Sequence, residues 1–231
     1  DLKSPFASIM GTFELIRQGM LNREEQESVM QELNLKVSHV FDMLNNLLYW
    51  ANSQQKGIQP NMRRVDLPAV VDDVLTVSHF IASEKNIEII HQSRDYQPVY
   101  ADLDHVRIII QNLVGNAIKF TPRTGTITID YSEEINYLQI HVRDSGVGIQ
   151  PELIRQILHQ EQNPTSQRGT NNEKGTGLGL MLVRRFAEIN QAKLQIQSTP
   201  GEGSDFSVRF QKWGNQNKKG LKQADFEGET S

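Results

Sequence analysis

The chain has 231 residues, of which 37% are hydrophobic and 23% charged, enough apolar material for one large or two ordinary globular domains. A formal net charge of −4 gives no support for binding nucleic acid or an anionic membrane by bulk electrostatic attraction. Because the chain contains no cysteine, disulfides, thiolate metal sites and cysteine nucleophiles are excluded. It has no run of 18 apolar residues. We therefore expect no nucleic-acid partner and no membrane contact from these residues.

Two helices are predicted at the start of the chain. Apolar residues recur at spacings of four and three over residues 2–20 and again over 30–51, with a short polar link around Asn22. This pattern is typical of helices that pack along one another. An antiparallel hairpin has too narrow a core to stand alone, so we expect two copies to form a dimeric four-helix bundle. We assign this unit to residues 1–56, because Gly57 follows it.

Residues 57–213 are predicted to form a second domain in which helices and strands alternate. We predict helices at 67–83, 102–121, 151–159 and 178–190, and strands at 87–91, 126–132, 137–143, 193–198 and 205–210. Several strands alternate apolar and polar residues, which is typical of a sheet with one buried face. The fold class is therefore α+β, with a mostly antiparallel sheet and helices on one face. Residues 214–231 have the polar composition of a disordered tail.

The helix predicted at 102–121 has a polar face beside its apolar stripe. Asn112, Asn116 and Lys119 are spaced by four and three, so they share one side of the helix. Asn is an indifferent helix former, so two of them in mid-helix need a reason. A neutral amide oxygen can bind Mg²⁺ without cancelling its charge, and a lysine one turn on can reach phosphates. The alternative is a solvated face with two incidental asparagines, because a helix stripe alone is weak evidence.

Two glycine clusters flank a long polar segment. The first, 144–149, ends a predicted strand, and Asp144 can accept a hydrogen bond from an exocyclic amine such as that of adenine. Local sequence alone favours an ordinary Asp-containing turn. The second, 175–180, opens a helix, so its N–H groups can face a phosphate, although it is neither a dinucleotide fingerprint nor a P-loop. Residues 150–174 between the clusters are predicted to be a flexible lid over a nucleotide.

In this order and spacing the motifs resemble the catalytic core of bacterial sensor histidine kinases with a HisKA-type hairpin, over roughly residues 1–212. Residues 112–122 look like the family's N box, 144–148 and 175–180 like its two glycine boxes, and 201–206 like a weaker third glycine motif. The opening residues 1–5 match the phosphoacceptor box from the position just after its histidine. We therefore expect that histidine to precede Asp1 and the sequence to be a fragment of a longer protein.

The resemblance implies an ATP-binding domain of the Bergerat type, shared with gyrase-like ATPases and Hsp90-type chaperones, with ATP and Mg²⁺ as cofactors. It implies that Asn116, together with Asn112, holds Mg²⁺ and that Lys119 contacts phosphate beside Phe120. The Asp144 carboxylate would accept the adenine amine.

Glycines complete the implied nucleotide site. By resemblance, Gly146 and Gly148 line the pocket for the base. The phosphates would meet the backbone of the second glycine box, which consists of Gly175, Thr176, Gly177, Leu178 and Gly179.

The resemblance also assigns roles to the hairpin. Asp1 would be the general base for the neighbouring imidazole, whose nitrogen attacks the γ-phosphoryl group in line. Ser4 stands where the family uses a small polar residue, usually Thr or Asn, to dephosphorylate its response regulator. The implied partners are a second copy of the chain and a response regulator that docks near residues 1–20. The implied location is the cytoplasmic part of a larger sensor.

One departure from the family pattern concerns the lid. The family often carries a Phe-rich box there, whereas residues 157–161 read Ile-Leu-His-Gln-Glu. A degenerate kinase that serves as a dimeric nucleotide-binding scaffold is therefore one alternative to a protein-histidine kinase. A gyrase-type or Hsp90-type ATPase is another, although nothing in that group calls for the hairpin at residues 1–51.

Overall fold

The computed structural model describes residues 3–17, 59–159, 169–170 and 178–214, and between the first two ranges residues 22, 25, 26, 29, 30, 33, 37, 40 and 44. The chain divides into two compact units, Asp1–Ile58 and Gln59–Ser231. None of the described helices combines the length and the hydropathy that a bilayer-spanning helix needs.

The first unit contains helix α1, Lys3–Arg17. Its side chain at Ile9 is buried with Leu33 and Val40, two positions of the second apolar series. Residues 25 and 26 are helical, and a reciprocal capping box precedes them. The Asn22 N–H donates to the Glu25 carboxylate and the Glu25 N–H donates to the Asn22 side-chain oxygen, both at 2.9 Å. Most of the residues predicted for the second helix, and with them the predicted hairpin packing and the boundary at residue 56, lie outside the described residues.

The described residues of the second unit form four helices and seven strands. They follow in the order β1 Met62–Val65, α2 Leu67–Glu84, β2 Glu88–His91, β3 Val99–Asp102, α3 Leu103–Phe120, β4 Thr126–Glu133, β5 Tyr137–Asp144, α4 Pro151–His159, α5 Leu178–Ile189, β6 Lys193–Thr199 and β7 Gly203–Gln211. All nine elements predicted for this domain are found, with bounds that shift by two residues or fewer. Strands β1 and β3 were not predicted; they pair with each other as a separate antiparallel ribbon.

The main sheet has five strands in the order β2-β4-β5-β7-β6. Only the pair β2–β4 is parallel, so the sheet is mostly antiparallel, as predicted. The predicted inner faces of β4 and β5 are buried and join one core with apolar residues of α2, α3 and α5. The opposite face carries polar side chains, among them Gln139, His141 and Asp205.

Local capping fixes where two of the helices begin. The Asp66 side chain accepts from the N–H of Ala69, and Pro68 occupies the first turn of α2. The Asp102 side chain accepts from the N–H groups of Asp104 and His105, which starts α3. The predicted tail at 214–231 lies, apart from Gly214, outside the described residues.

Candidate functional site

Helix α3 places the predicted polar face at the boundary of the core. Val106, Ile110, Leu113 and Ala117 are buried as the stripe predicts, and this fixes the rotation of the helix. Asn112, Asn116 and Lys119 are consequently half-buried on another side. The Lys119 ammonium lies 4.9 Å from the centre of the Phe120 ring, a cation–π contact.

The two asparagines of α3 have different surroundings. The Nδ2 of Asn112 donates to the Ile108 carbonyl at 2.8 Å, and its Oδ1 points to the first turn of α5. A Cβ added at Gly179 would lie 2.6 Å from that oxygen. Within the described ranges, no hydrogen bond engages the Asn116 amide, so its oxygen is available to a ligand.

Asp144 ends β5 and turns its carboxylate back onto the following glycine turn. Its Oδ1 accepts from the Gly146 N–H at 2.8 Å, and Ser204 on β7 donates to it from both backbone and hydroxyl. Burial raises the pKa of Asp144 to about 6, because desolvation outweighs these hydrogen bonds and the nearby Asp205 carboxylate adds repulsion. A half-buried carboxyl group that is mostly ionised at neutral pH is suited to accept a hydrogen bond from a ligand.

The backbone of the turn after Asp144 packs on other backbone on both sides. At Gly146 and Gly148 the contact is too close for a Cβ atom. A Cβ at Gly146 would lie 2.6 Å from the Phe120 carbonyl oxygen, and one at Gly148 would overlap the Thr199 carbonyl. Two hydrogen bonds span the same contacts, from Val147 N–H to the Phe120 carbonyl at 3.3 Å and from Gly201 N–H to the Val147 carbonyl at 2.8 Å. The turn is therefore fixed between the end of α3 and the β6–β7 turn.

The structure thus brings together three segments that the motifs predicted: the polar face of α3, the Asp144 turn and the start of α5. Leu178 and Gly179 begin α5, as expected of a glycine box that opens a helix. The remaining residues of that box, Gly175, Thr176 and Gly177, lie outside the described residues, as does Asp1. Ser4 lies in α1, where only its backbone is described.

Three residues near the site were not predicted. Ser204 hydrogen-bonds the Asp144 carboxylate, and its only signal was its place inside the third glycine motif. Lys85 and Thr170 contact the end of α3. Neither belongs to any motif, and no local sequence pattern points to them.

The donor set around α3 fits a magnesium ion that is shared with a phosphate ligand. No group of three or more His, Cys, Asp or Glu side chains able to hold a metal occurs among the described residues. Amide oxygens such as that of Asn116 are suitable ligands for Mg²⁺, which commonly takes only one or two protein ligands and completes its shell with phosphate and water.

The chain is similar in sequence to a family model and to named histidine kinases. Residues 101–213 match the family described as histidine kinase-, DNA gyrase B- and HSP90-like ATPase. Histidine protein kinase DivJ of Caulobacter vibrioides is 28% identical over 219 residues, which cover 91% of this chain and 35% of DivJ. Cell-division control histidine kinase PdhS of Brucella anthropi is 25% identical over 222 residues, 91% of this chain and 21% of PdhS. The chain thus spans well under half of either relative.

The chain is also similar in structure to solved histidine kinases. Full-length ShkA in complex with AMPPNP superposes with a TM-score of 0.64 at 26% identity, covering 82% of this chain and 39% of ShkA. The Acinetobacter baumannii histidine kinase AdeS superposes with a TM-score of 0.66 at 20% identity, covering 92% of this chain and 98% of AdeS, which supports the fold. The resemblance to sensor histidine kinase cores is therefore confirmed.

Proposed function

We propose that this chain, whose residues 101–213 match the family described as histidine kinase-, DNA gyrase B- and HSP90-like ATPase, is the core of an ATP-dependent protein-histidine kinase. It would phosphorylate a histidine of its own hairpin and pass the phosphoryl group to an aspartate of a response regulator. The similarity to DivJ and PdhS, both of which are named as histidine kinases, supports this activity. The nucleotide analogue AMPPNP in the ShkA complex supports ATP as the ligand.

The observation that carries the proposal is that the half-buried Asp144 carboxylate and the polar face of α3 lie on either side of one backbone contact. The Asp144 turn and the end of α3 meet where Gly146 packs on the Phe120 carbonyl. The Asp144 carboxylate would accept the adenine amine, with Gly146 and Gly148 lining the base pocket. Lys119, in the last turn of α3, would then reach the phosphates, and the Gly175–Gly179 backbone would face them from the other side.

Transfer of the γ-phosphoryl group from ATP to an imidazole nitrogen requires that the negative charge of the phosphates be stabilised. Asn116, with Asn112, would hold Mg²⁺, which when bound neutralises part of that charge. Lys119 would add a positive charge at a fixed position. Asp1 would accept the proton of the attacking imidazole, and Ser4 would act when the same domain dephosphorylates the aspartate of its response regulator with water; both roles rest on the resemblance alone.

The hairpin would serve as a dimer interface. Phe6, Met10 and Phe13 of α1 are 47%, 68% and 53% exposed in the single chain. Burying such side chains against a second copy would stabilise a four-helix bundle by roughly 1.5–3 kcal/mol for each large apolar residue. We propose that the chain forms a homodimer through this unit, that a response regulator docks on α1, and that the core acts in the cytoplasm.

The decisive experiment incubates a version of the chain, extended before Asp1 by the proposed phosphoacceptor histidine, with Mg²⁺ and γ-labelled ATP. We expect label that is lost in acid and kept in base, which identifies phosphohistidine. A matched Asn116→Ala variant should bind nucleotide but take up little label.

Other outcomes would decide between the alternatives. Nucleotide binding without any label would favour the degenerate scaffold. Release of free phosphate without protein label would favour an ATPase of the gyrase or Hsp90 type. Absence of nucleotide binding would overturn the proposal.

A further inference from the structure

A buried lysine that belongs to no predicted motif contacts the end of α3. Lys85 follows α2 and is 4% exposed. Its ammonium donates to the carbonyl oxygens of Ile118 at 2.9 Å and Lys119 at 3.1 Å, and to Thr170 Oγ1 at 2.9 Å. A buried ammonium is costly unless it is hydrogen-bonded, so these acceptors hold it in one position.

The sequence at the end of α3 explains why a donor from elsewhere in the chain is needed there. In an α-helix each carbonyl accepts from the N–H four residues later, so the Ile118 carbonyl would pair with residue 122. Residue 122 is proline, which has no N–H. The Lys85 ammonium supplies the donor that the proline lacks.

Thr170 serves the next carbonyls in the same way. Its backbone N–H donates to the Lys119 carbonyl at 3.1 Å. Its hydroxyl lies 3.1 Å from the Lys119 carbonyl and 3.0 Å from the Thr121 carbonyl. The hydroxyl has one proton, so it donates to one of these carbonyls at a time while it accepts from Lys85.

We propose that Lys85 and Thr170 are positioning residues for the nucleotide site. By fixing the backbone of residues 118–121 they set the direction in which the Lys119 side chain leaves α3. Thr170 also ties the chain to α3 five residues before Gly175, the first residue of the second glycine box. This inference rests on the proposed function, because it assigns the pair a role in binding the phosphates of the nucleotide.

A second buried lysine provides a matched control. Lys212 is 5% exposed and pairs with Glu133 at 2.8 Å. Glu133 is on β4, opposite Leu138 near the start of β5. Asp144 lies at the other end of β5. Lys212 therefore has similar burial but lies at the end of the sheet away from the candidate site.

The main test measures binding of AMPPNP with Mg²⁺ by calorimetry in the full chain. Thr170→Val keeps the shape of the side chain but loses the hydroxyl, and we expect it to bind about fivefold more weakly, the value of one hydrogen bond. Thr170→Ser keeps the hydroxyl and should bind like the unmodified chain. If the hydroxyl acts through Lys119, the loss should disappear in a Lys119→Ala background.

The lysines are compared in the same assay. Lys85→Met and Lys212→Met should both lower the urea midpoint, but only Lys85→Met should weaken AMPPNP binding in the folded protein. If Lys85→Met does not fold, the Thr170 variants still decide the question.

Three results would overturn the inference: equal affinity of the Thr170→Val variant and the unmodified chain, failure of Thr170→Ser to restore binding, or an undiminished loss in the Lys119→Ala background. Failure of the unmodified chain to bind AMPPNP would instead overturn the proposed function, and the inference with it.

Discussion

The Asp144 end and the α3 end of the candidate site are held in place by different parts of the chain. At the Asp144 end, glycine backbone packs directly on other backbone, as Gly203 does on the Asp144 carbonyl. At the α3 end, the last carbonyls are held by the side chains of Lys85 and Thr170. The first end tolerates no added atom, whereas the second depends on particular donors. We therefore expect steric changes to damage the first end most and chemical changes the second.

The largest effect should come from Gly203→Ala. Gly203 has φ +113, and an added Cβ would overlap the Asp144 carbonyl oxygen and lie 3.1 Å from the Ser145 Cα. We expect a loss of about 3–5 kcal/mol in the free energy of unfolding, and no AMPPNP binding. Gly201→Ala is the matched control, since its φ is +84 but no atom lies within 4 Å of its Cβ. It should cost only about 1 kcal/mol in a urea titration; equal losses would show that overlap is not the cause.

Asn116→Ala should have the next largest effect, at the α3 end. Since its amide oxygen is the proposed Mg²⁺ ligand, we expect phosphohistidine formation to fall about 100-fold, equivalent to roughly 3 kcal/mol. Binding of nucleotide in the presence of EDTA should hardly change. Unaltered labelling with Mg²⁺ would remove Asn116 from the metal site.

Asp144→Asn should weaken AMPPNP binding about 10- to 30-fold at pH 8, because an acceptor carboxylate becomes an amide that also donates. With a pKa of about 6 in the free protein, the wild-type carboxyl must lose its proton to accept from the base. The wild-type affinity should therefore fall as the pH drops through 6, relative to that of the Asn variant. A constant ratio of affinities between pH 5 and 8 would contradict this role.

The same substitution should stabilise the fold. A raised carboxyl pKa means that the contribution of Asp144 to stability is complete below its unfolded value of 3.8 and is lost as the pH rises through about 6. Asn carries no charge to bury. We therefore expect the free energy of unfolding of the Asp144→Asn variant to be about 2 kcal/mol higher than that of the unmodified chain at pH 8. The difference should vanish towards pH 4, which urea titrations at both pH values would check.

The smallest effect concerns His105, in the first turn of α3. Its ring stacks on Phe186 with centroids 4.3 Å apart and accepts from Asn190 Nδ2. Burial lowers the pKa of His105, although the Asp102 and Asp104 carboxylates oppose the shift. Below pH about 6.5 the unfolded chain therefore takes up a proton that the folded chain disfavours.

We expect this histidine to destabilise the fold at pH 5.5 but not at pH 8, because only the unfolded chain readily takes up the proton. His105→Gln should remove that pH dependence. Because Asp144 acts in the opposite direction over the same range, the comparison is best made in the Asp144→Asn background. An equal pH dependence with and without His105 would contradict the assignment.

Much of the fold followed from local pattern. The stripe of α3 and the alternation in β4 and β5 predicted both the elements and their buried faces, because each period maps directly onto one side of a helix or strand. The ribbon of β1 and β3 was missed. Neither four-residue strand alternates apolar and polar side chains, and the two are separated by 33 residues.

The sequence likewise predicted some residues of the candidate site and missed others. The motifs predicted Asn116, Lys119, Asp144 and Gly179, and the structure places all of them on segments that meet. Their roles toward nucleotide and metal remain predictions. Ser204, Lys85 and Thr170 could not be found from the sequence, since each acts on a partner at least 30 residues away.

The sequence by itself determined nine of the eleven described elements of the second unit, the faces that several of them bury and the order of the glycine and asparagine motifs, because these depend on residues within a few positions of one another. Only the tertiary structure decided how the Asp144 turn meets α3 and which donors satisfy the last carbonyls of α3, including the Ile118 carbonyl that Pro122 leaves unpaired. A missing N–H can be read from the sequence. The residue that replaces it is selected by packing, and packing joins residues that share no local pattern.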